Sequence, residues 1–177
     1  PMGDAGTIRN TDRFLTTHAG SLPRPAALVD LYARRHDGET IDDARLDTLA
    51  EAATHDVLGR QAEAGIDIPN NGDQMREAFF LYVRRRLTGF AGAAPRKPWS
   101  DLIAYPEFAK ASQLSFAGRP NVSNRAPPAA VGPVTYAAHD ANQHELRCLR
   151  AALDAQERPF EDAFVTAPSP GIVATAP

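Results

Sequence analysis

At 177 residues, 43% hydrophobic and 23% charged, the chain has the length of one domain and the composition of a soluble globular protein with a buried core. A net charge of −3 gives a nucleic acid or an anionic membrane no electrostatic handle, and no apolar run approaches the ~20 residues of a membrane-spanning helix. One cysteine, Cys148, excludes an internal disulfide and fits a reducing compartment, so the expected location is the cytoplasm.

In chain order, residues 1–12 read as an N-terminal tail and 13–177 as one domain. A short apolar run, Phe14-Leu15-Thr16, reads as a strand and leads into "THAGSLPRP", with a helix beginning at Ala26. Thr40, with an acid three residues on, is placed to cap a second helix. Its face is Leu46, Leu49, Ala50, Ala53 and Val57, and Gly65 stops it. Ile66 to Pro69 is a second strand, followed by the loop Asn70-Asn71-Gly72-Asp73. Met75, Phe79, Val83 and Leu87 then predict a third helix closed by Gly89.

Residues 91–98 and 117–130 are rich in Gly, Ala, Pro and Arg and read as surface loops, with Trp99 and Tyr105 anchoring the stretch between them to the core. Val131 to Tyr136 reads as a further strand despite Pro133. Asp140 is placed to cap a helix that turns Leu146, Leu149 and Leu153 inward, and Phe164 to Ala167 is a last strand. Strands alternating with helices are the grammar of parallel α/β structure, in which polar residues just past the strand ends share one rim. Here that rim holds His18 to Arg24, Asn70 to Arg76, Tyr136 to Asp140, and Ser169. His18, Gly20, Ser21, Arg24, Asp73 and Arg76 are the candidate ligand-binding residues.

Four segments, "THAGSLPRP", "RQAEAGIDIPNNGDQMREAFF", "VGPVTY" and "FVTAPSPG", occur in the order and at the intervals found in one family. The chain resembles the catalytic barrel of cobalamin-independent methionine synthases and the related zinc alkyltransferases. The resemblance implies a (β/α)₈ barrel that transfers a methyl group, from a methyl-folate-type donor in the best-known members, to the thiol of homocysteine. It also implies a zinc ion that holds the thiol as thiolate. It places Gly20 and Ser21 against the substrate carboxylate, and Asp73 where the family has a glutamate that holds the substrate ammonium. Aspartate keeps that charge on a side chain one methylene shorter.

The family's zinc ligands, a His-x-Cys pair, a later glutamate and a later cysteine, have no counterpart in this chain. A barrel of this type needs at least about 200 residues. The expected fold is therefore the front half of a TIM-type barrel, about four parallel strands. Its open edges predict self-association or a second chain that completes the barrel.

Two further clusters have plainer readings. Arg84-Arg85-Arg86 spreads around a helix and reads as solvated or carboxylate-paired. His144 and Cys148, four residues apart, make half of a metal site with no second cysteine to complete it. Beside the methyltransferase reading stand two others. One is an amino-acid-binding module without chemistry, and the other is an acid–base enzyme that pairs Asp73 with His18.

Overall fold

Helix α2 (Asp43–Glu63) carries buried Leu46, Ala50, Ala53, Val57 and Leu58 at the three- and four-residue steps that keep side chains on one face. The computed structural model describes residues 12–92, 100–116 and 128–175. Asp42, not Thr40, caps α2, its carboxylate accepting the Arg45 N–H at 3.1 Å and placing negative charge at the positive end of the helix. At the other end the Ile66 N–H reaches the Gln61 carbonyl at 2.9 Å and the Gly65 N–H reaches Ala62 at 3.0 Å. This double bond closes the helix through a residue at φ +76°, a conformation that only glycine adopts without strain.

Two apolar clusters flank α2. On one side α1 (Ala26–His36) contributes Leu28, Leu31 and Tyr32, which pack with Leu46, Ala50, Ala53, Ala78 and Leu81. On the other, α6 (His139–Asp154) sets Leu149 and Ala152 against Val57 and Leu58, with Leu22, Phe160 and Val165 around them. Leu146 does not turn inward as its spacing suggested: it is 40% exposed, and Glu145 is the buried residue of that turn.

Three short segments run parallel beneath these helices. Thr17 bridges Ile68, and Asn70 bridges Phe164, so the stretch 66–70 lies between the first and the last. The Thr16 carbonyl accepts the N–H groups of Asp67 and Ile68 at 3.1 Å each. Among the described residues the parallel pairing is limited to these isolated bridges, and the two-stranded sheet is antiparallel, so the expected half barrel of about four parallel strands is not reproduced.

Two expected elements are built differently. Val131 to Tyr136 is not a fourth parallel strand. Tyr136 bridges Leu87 antiparallel, and β2 (Ala129–Ala130) pairs antiparallel with β1 (Phe90–Ala91). Pro133 has no N–H to give a central ladder, which confines this stretch to a two-stranded ribbon. The helix expected from Met75 to Leu87 is a run of turns ending in the single turn α3 (Val83–Arg86). The residues just before this run, Asn70 and Asn71, bond backbone N–H groups with their side chains, an alternative to helical pairing.

The remaining helices, α4 (Ser100–Ala104), α5 (Pro106–Phe116) and α7 (Pro170–Thr175), are short. Tyr105 is 66% exposed and does not join the buried core, and Ile103 and Phe108 beside it are also open to solvent. Trp99 lies outside the described residues.

Candidate functional site

The second strand-end loop is shaped by its own side chains. Asn70 Oδ1 accepts the Gly72 N–H at 2.8 Å and Asn71 Oδ1 accepts the Asp73 N–H at 3.1 Å, two successive side-chain turns. They hold Gly72 at φ +58° and Asp73 at φ +55°, the latter costly for a residue with a Cβ. A Cβ on Gly72 would lie 2.8 Å from Leu22 Cβ, and the Leu22 N–H donates to the Gly72 carbonyl at 3.0 Å. The first and second loops are thereby locked together.

Asp73 is the meeting point. Ser21 Oγ donates to its Oδ2 at 2.7 Å, Thr166 Oγ1 to its Oδ1 at 2.9 Å, and Arg76 Nη1 to Oδ1 at 3.2 Å. Arg24 Nη2 donates to its backbone carbonyl at 2.7 Å. Residues from all three parallel segments' loops thus converge on one carboxylate that is 1% exposed. Ser21 and Gly20, on its outer side, are exposed.

A second buried carboxylate stands behind the first. Glu145 meets Arg76 Nε at 2.9 Å and Asn71 Nδ2 at 2.7 Å, and it accepts a short hydrogen bond from Arg86 Nη2. The Arg76 and Arg86 guanidiniums lie over the Tyr82 ring at 4.6 and 4.9 Å. Burial pushes the Tyr82 phenol up, and the two arginines pull it back. Burial also pulls the Arg24 guanidinium below its ordinary value, against the opposing effects of Tyr32 and Asp73. Among the described residues, Arg76 pairs with both Asp73 and Glu145, Arg86 pairs with Glu145, and Arg24 reaches only the Asp73 backbone carbonyl of this network.

Of the residues singled out in the sequence, Ser21, Arg24, Asp73 and Arg76 come together, with Gly20 beside them. His18 does not join them. It lines a separate cavity of about 270 Å³ with Leu22, Val57 and Gln61, its Nδ1 buried without a hydrogen-bond partner among the described residues. No hydrogen bond or ion pair among the described residues links it to Asp73, as an acid–base pair would require. Asn71, Arg86, Glu145 and Thr166 belong to the network and were not among the candidate ligand-binding residues. The one signal for Glu145 was a carboxylate on the face of α6 that also carries Cys148, Leu149 and Ala152.

The three arginines of α3 are paired with carboxylates, as expected. Arg84 and Arg85 approach the buried Glu77 at 3.8 and 3.1 Å, joined by Arg35 at 3.7 Å, while Arg86 turns to Glu145. The donors around Asp73 are hydroxyls, guanidiniums and amides, with no thiolate and no imidazole. They do not fit a thiol-activating zinc.

No protein-family model matches the chain. Methionine synthase from Sulfurisphaera tokodaii is 33% identical over 84 residues, 48% of this chain and 25% of that protein. Methionine synthase from Thermococcus kodakarensis is 31% identical over 100 residues, 56% of this chain and 28% of that protein. A B12-independent methionine synthase from Shewanella sp. W3-18-1, solved in complex with selenomethionine, superposes with a TM-score of 0.51 at 21% identity. That match covers 90% of this chain and 38% of that one, a likeness of fold. The chain spans about a quarter of the length of the curated relatives it matches, and over that part it is similar in sequence to methionine synthases.

Proposed function

We propose that this chain is the amino-acid-positioning part of a methyltransferase of the methionine synthase type. The enzyme would transfer a methyl group from a methyl-folate-type donor to the homocysteine thiol. The observation that carries this reading is the hydrogen bond from Ser21 to Asp73, which joins two strand-end loops. A serine hydroxyl has one proton to give, and here Asp73 takes it. When an amino acid binds, its ammonium replaces the hydroxyl as donor to Asp73 Oδ2. The freed hydroxyl then turns outward and, with the exposed N–H groups around Gly20, donates to the substrate carboxylate. Arg24 and Arg76 hold Asp73 in place, and His18 shapes the floor of the first loop. Both ends of the substrate are fixed by one exchange of partners.

In this reading the chain positions the substrate, and the activation of the thiol lies with residues elsewhere. The three parallel segments form part of a barrel wall whose open side pairs with a second copy or with a chain completing the barrel. The protein works in the cytoplasm. A second reading, an amino-acid-binding module without turnover, is favoured by the lack of zinc donors around Asp73.

Titration calorimetry with homocysteine and with methionine tests both. Binding of one ligand per chain, weakened at least ~10-fold in Ser21→Ala, supports the site, since a hydrogen bond to a charged group contributes about 1.5–3 kcal/mol. Absence of binding by either amino acid overturns it. Methyl transfer by the chain with zinc and a methyl-folate would set aside the module without turnover.

A further inference from the structure

Away from the strand ends, the seam between α2 and α6 brings together three side chains of a different chemistry. Glu51 lies on α2, and His144 and Cys148 lie one turn apart on α6. Cys148 Sγ is 3.6 Å from Glu51 Oε1 and 3.9 Å from His144 Nε2, and His144 Nε2 is 3.7 Å from Glu51 Oε1. A tetrahedral zinc ion with oxygen, nitrogen and sulfur ligands at their usual bond lengths separates those atoms by about 3.3 to 3.6 Å. The three edges of the observed triangle are therefore within a few tenths of an ångström of one face of such a tetrahedron.

The surroundings complete the case. The three residues line one cavity of about 240 Å³, and His55, one turn along α2 from Glu51, lines it too. Each helix thus presents a pair of donors at the i, i+4 spacing that points two side chains the same way. Val57 and Leu58 packed on Leu149 and Ala152 hold the two helices in register next to the site. A thiolate and a carboxylate together balance the charge of a divalent ion, and Arg147 at the cavity's edge is the one cation lining it.

We infer that Glu51, His144 and Cys148, with His55 as fourth ligand, form a binding site for a divalent transition metal of zinc's preferences, clamping α2 to α6. It is distinct from any thiol-activating centre, because none of the four residues lies on a strand-end loop. Its chemistry of thiolate, imidazole and carboxylate selects zinc or cobalt over magnesium or calcium.

Cobalt(II) titration of the 177-residue chain, followed by absorption, tests the site. The expected result is one ion per chain, a thiolate-to-cobalt charge-transfer band in the near ultraviolet, the intense visible bands of tetrahedral cobalt, and loss of all three on adding zinc. Cys148→Ser should abolish the charge-transfer band. His144→Ala and Glu51→Gln should each weaken binding at least ~100-fold, the upper end of what loss of an outer hydrogen-bond partner costs. Glu51 and His144 are only half-buried, so these two variants separate loss of a ligand from loss of fold, with far-ultraviolet circular dichroism as the control. No charge-transfer band in the parent chain, or a band that survives in Cys148→Ser, overturns the site. Wild-type affinity in His55→Ala overturns the fourth ligand.

Discussion

Asp73, held in the left-handed region at φ +55°, accepts the Ser21 hydroxyl at 2.7 Å from a loop 52 residues earlier. The bond makes the carboxylate's position depend on both loops. Asparagine tolerates the left-handed region and keeps one acceptor, so Asp73→Asn changes charge with little change of shape. We expect Asp73→Asn to bind homocysteine about 10- to 150-fold more weakly, the equivalent of about 1.5–3 kcal/mol for a hydrogen bond to a charged group. Asp73→Glu, which restores the charge, should recover part of that loss. Calorimetry on the two variants checks both statements, and equal binding by wild type and Asp73→Asn would remove Asp73 from the site.

Glu145 faces Arg76 and Arg86, and removing it leaves two buried cations without their shared partner. Breaking a buried pair from one side costs about 3–5 kcal/mol, because the remaining charge is neither solvated nor neutralised. Glu145→Ala should lose stability in that range by urea unfolding. Glu145→Gln, which keeps an acceptor for Asn71 or Arg86, should lose less. A cost below about 1 kcal/mol for Glu145→Ala would show that water reaches the two arginines.

These two residues also mark how far the sequence could be read. Asp73 was singled out through the resemblance, which puts an acid after a glycine at the second strand end, and the structure brings it to Ser21. Glu145 was not singled out, because its burial is decided by what α6 packs against, and Leu146 beside it was the better apolar candidate. The hydrophobic spacing from Met75 to Leu87 is compatible with a helix. Just ahead of it, Asn70 and Asn71 turn the backbone with their side chains, local bonds that periodicity does not register. The stretch from Val131 to Tyr136 has the alternation of a strand, but its partner, Leu87 to Ala91, and its antiparallel sense are tertiary facts.

Gly72 separates backbone strain from side-chain chemistry. Alanine there meets Leu22 Cβ at 2.8 Å and must also adopt φ +58°. Gly72→Ala should cost about 1–3 kcal/mol, the range for a residue forced into a sparsely populated backbone region, and should loosen the two loops against each other. Thermal unfolding measures the cost. A Tm equal to wild type would mean that the loop relaxes without strain.

Asp67 anchors the first segment. Arg13 meets its two oxygens at 2.6 Å each, and Thr16 adds its N–H at 2.8 Å and its hydroxyl at 3.0 Å. The Arg13 hydrogen bond first, and then the Thr16 N–H, hold the carboxyl well below the usual carboxylate range. The unfolded chain therefore takes up this proton at a higher pH, near the ordinary value of about 4, than the folded chain does. The contribution to stability is complete at neutral pH. It is lost progressively as the pH falls below about 4 and on through the lower folded value. The Tm difference between wild type and Asp67→Asn should be largest at pH 7 and should shrink at pH 3. A difference that does not change with pH would mean that the carboxylate's charge contributes nothing. Added salt should narrow the difference at pH 7, since the Arg13 side chain is 52% exposed.

Phe14 is 95% exposed on the segment that leads into the parallel bridge at Thr17, and Val131, Val134 and Tyr136 are also open to solvent. An aromatic side chain left outside the core at a sheet edge is a site for another chain to cover. The proposed association therefore predicts a sedimentation coefficient that rises with protein concentration. Burying a side chain of this size contributes about 1.5–3 kcal/mol, so Phe14→Ser should weaken association by roughly 10- to 150-fold. The fold itself should be unaffected, because Phe14 packs into neither apolar cluster. Monomeric behaviour of wild type across the whole concentration range would mean that the open edge is tolerated in water, and the second copy or completing chain would lose its physical motive.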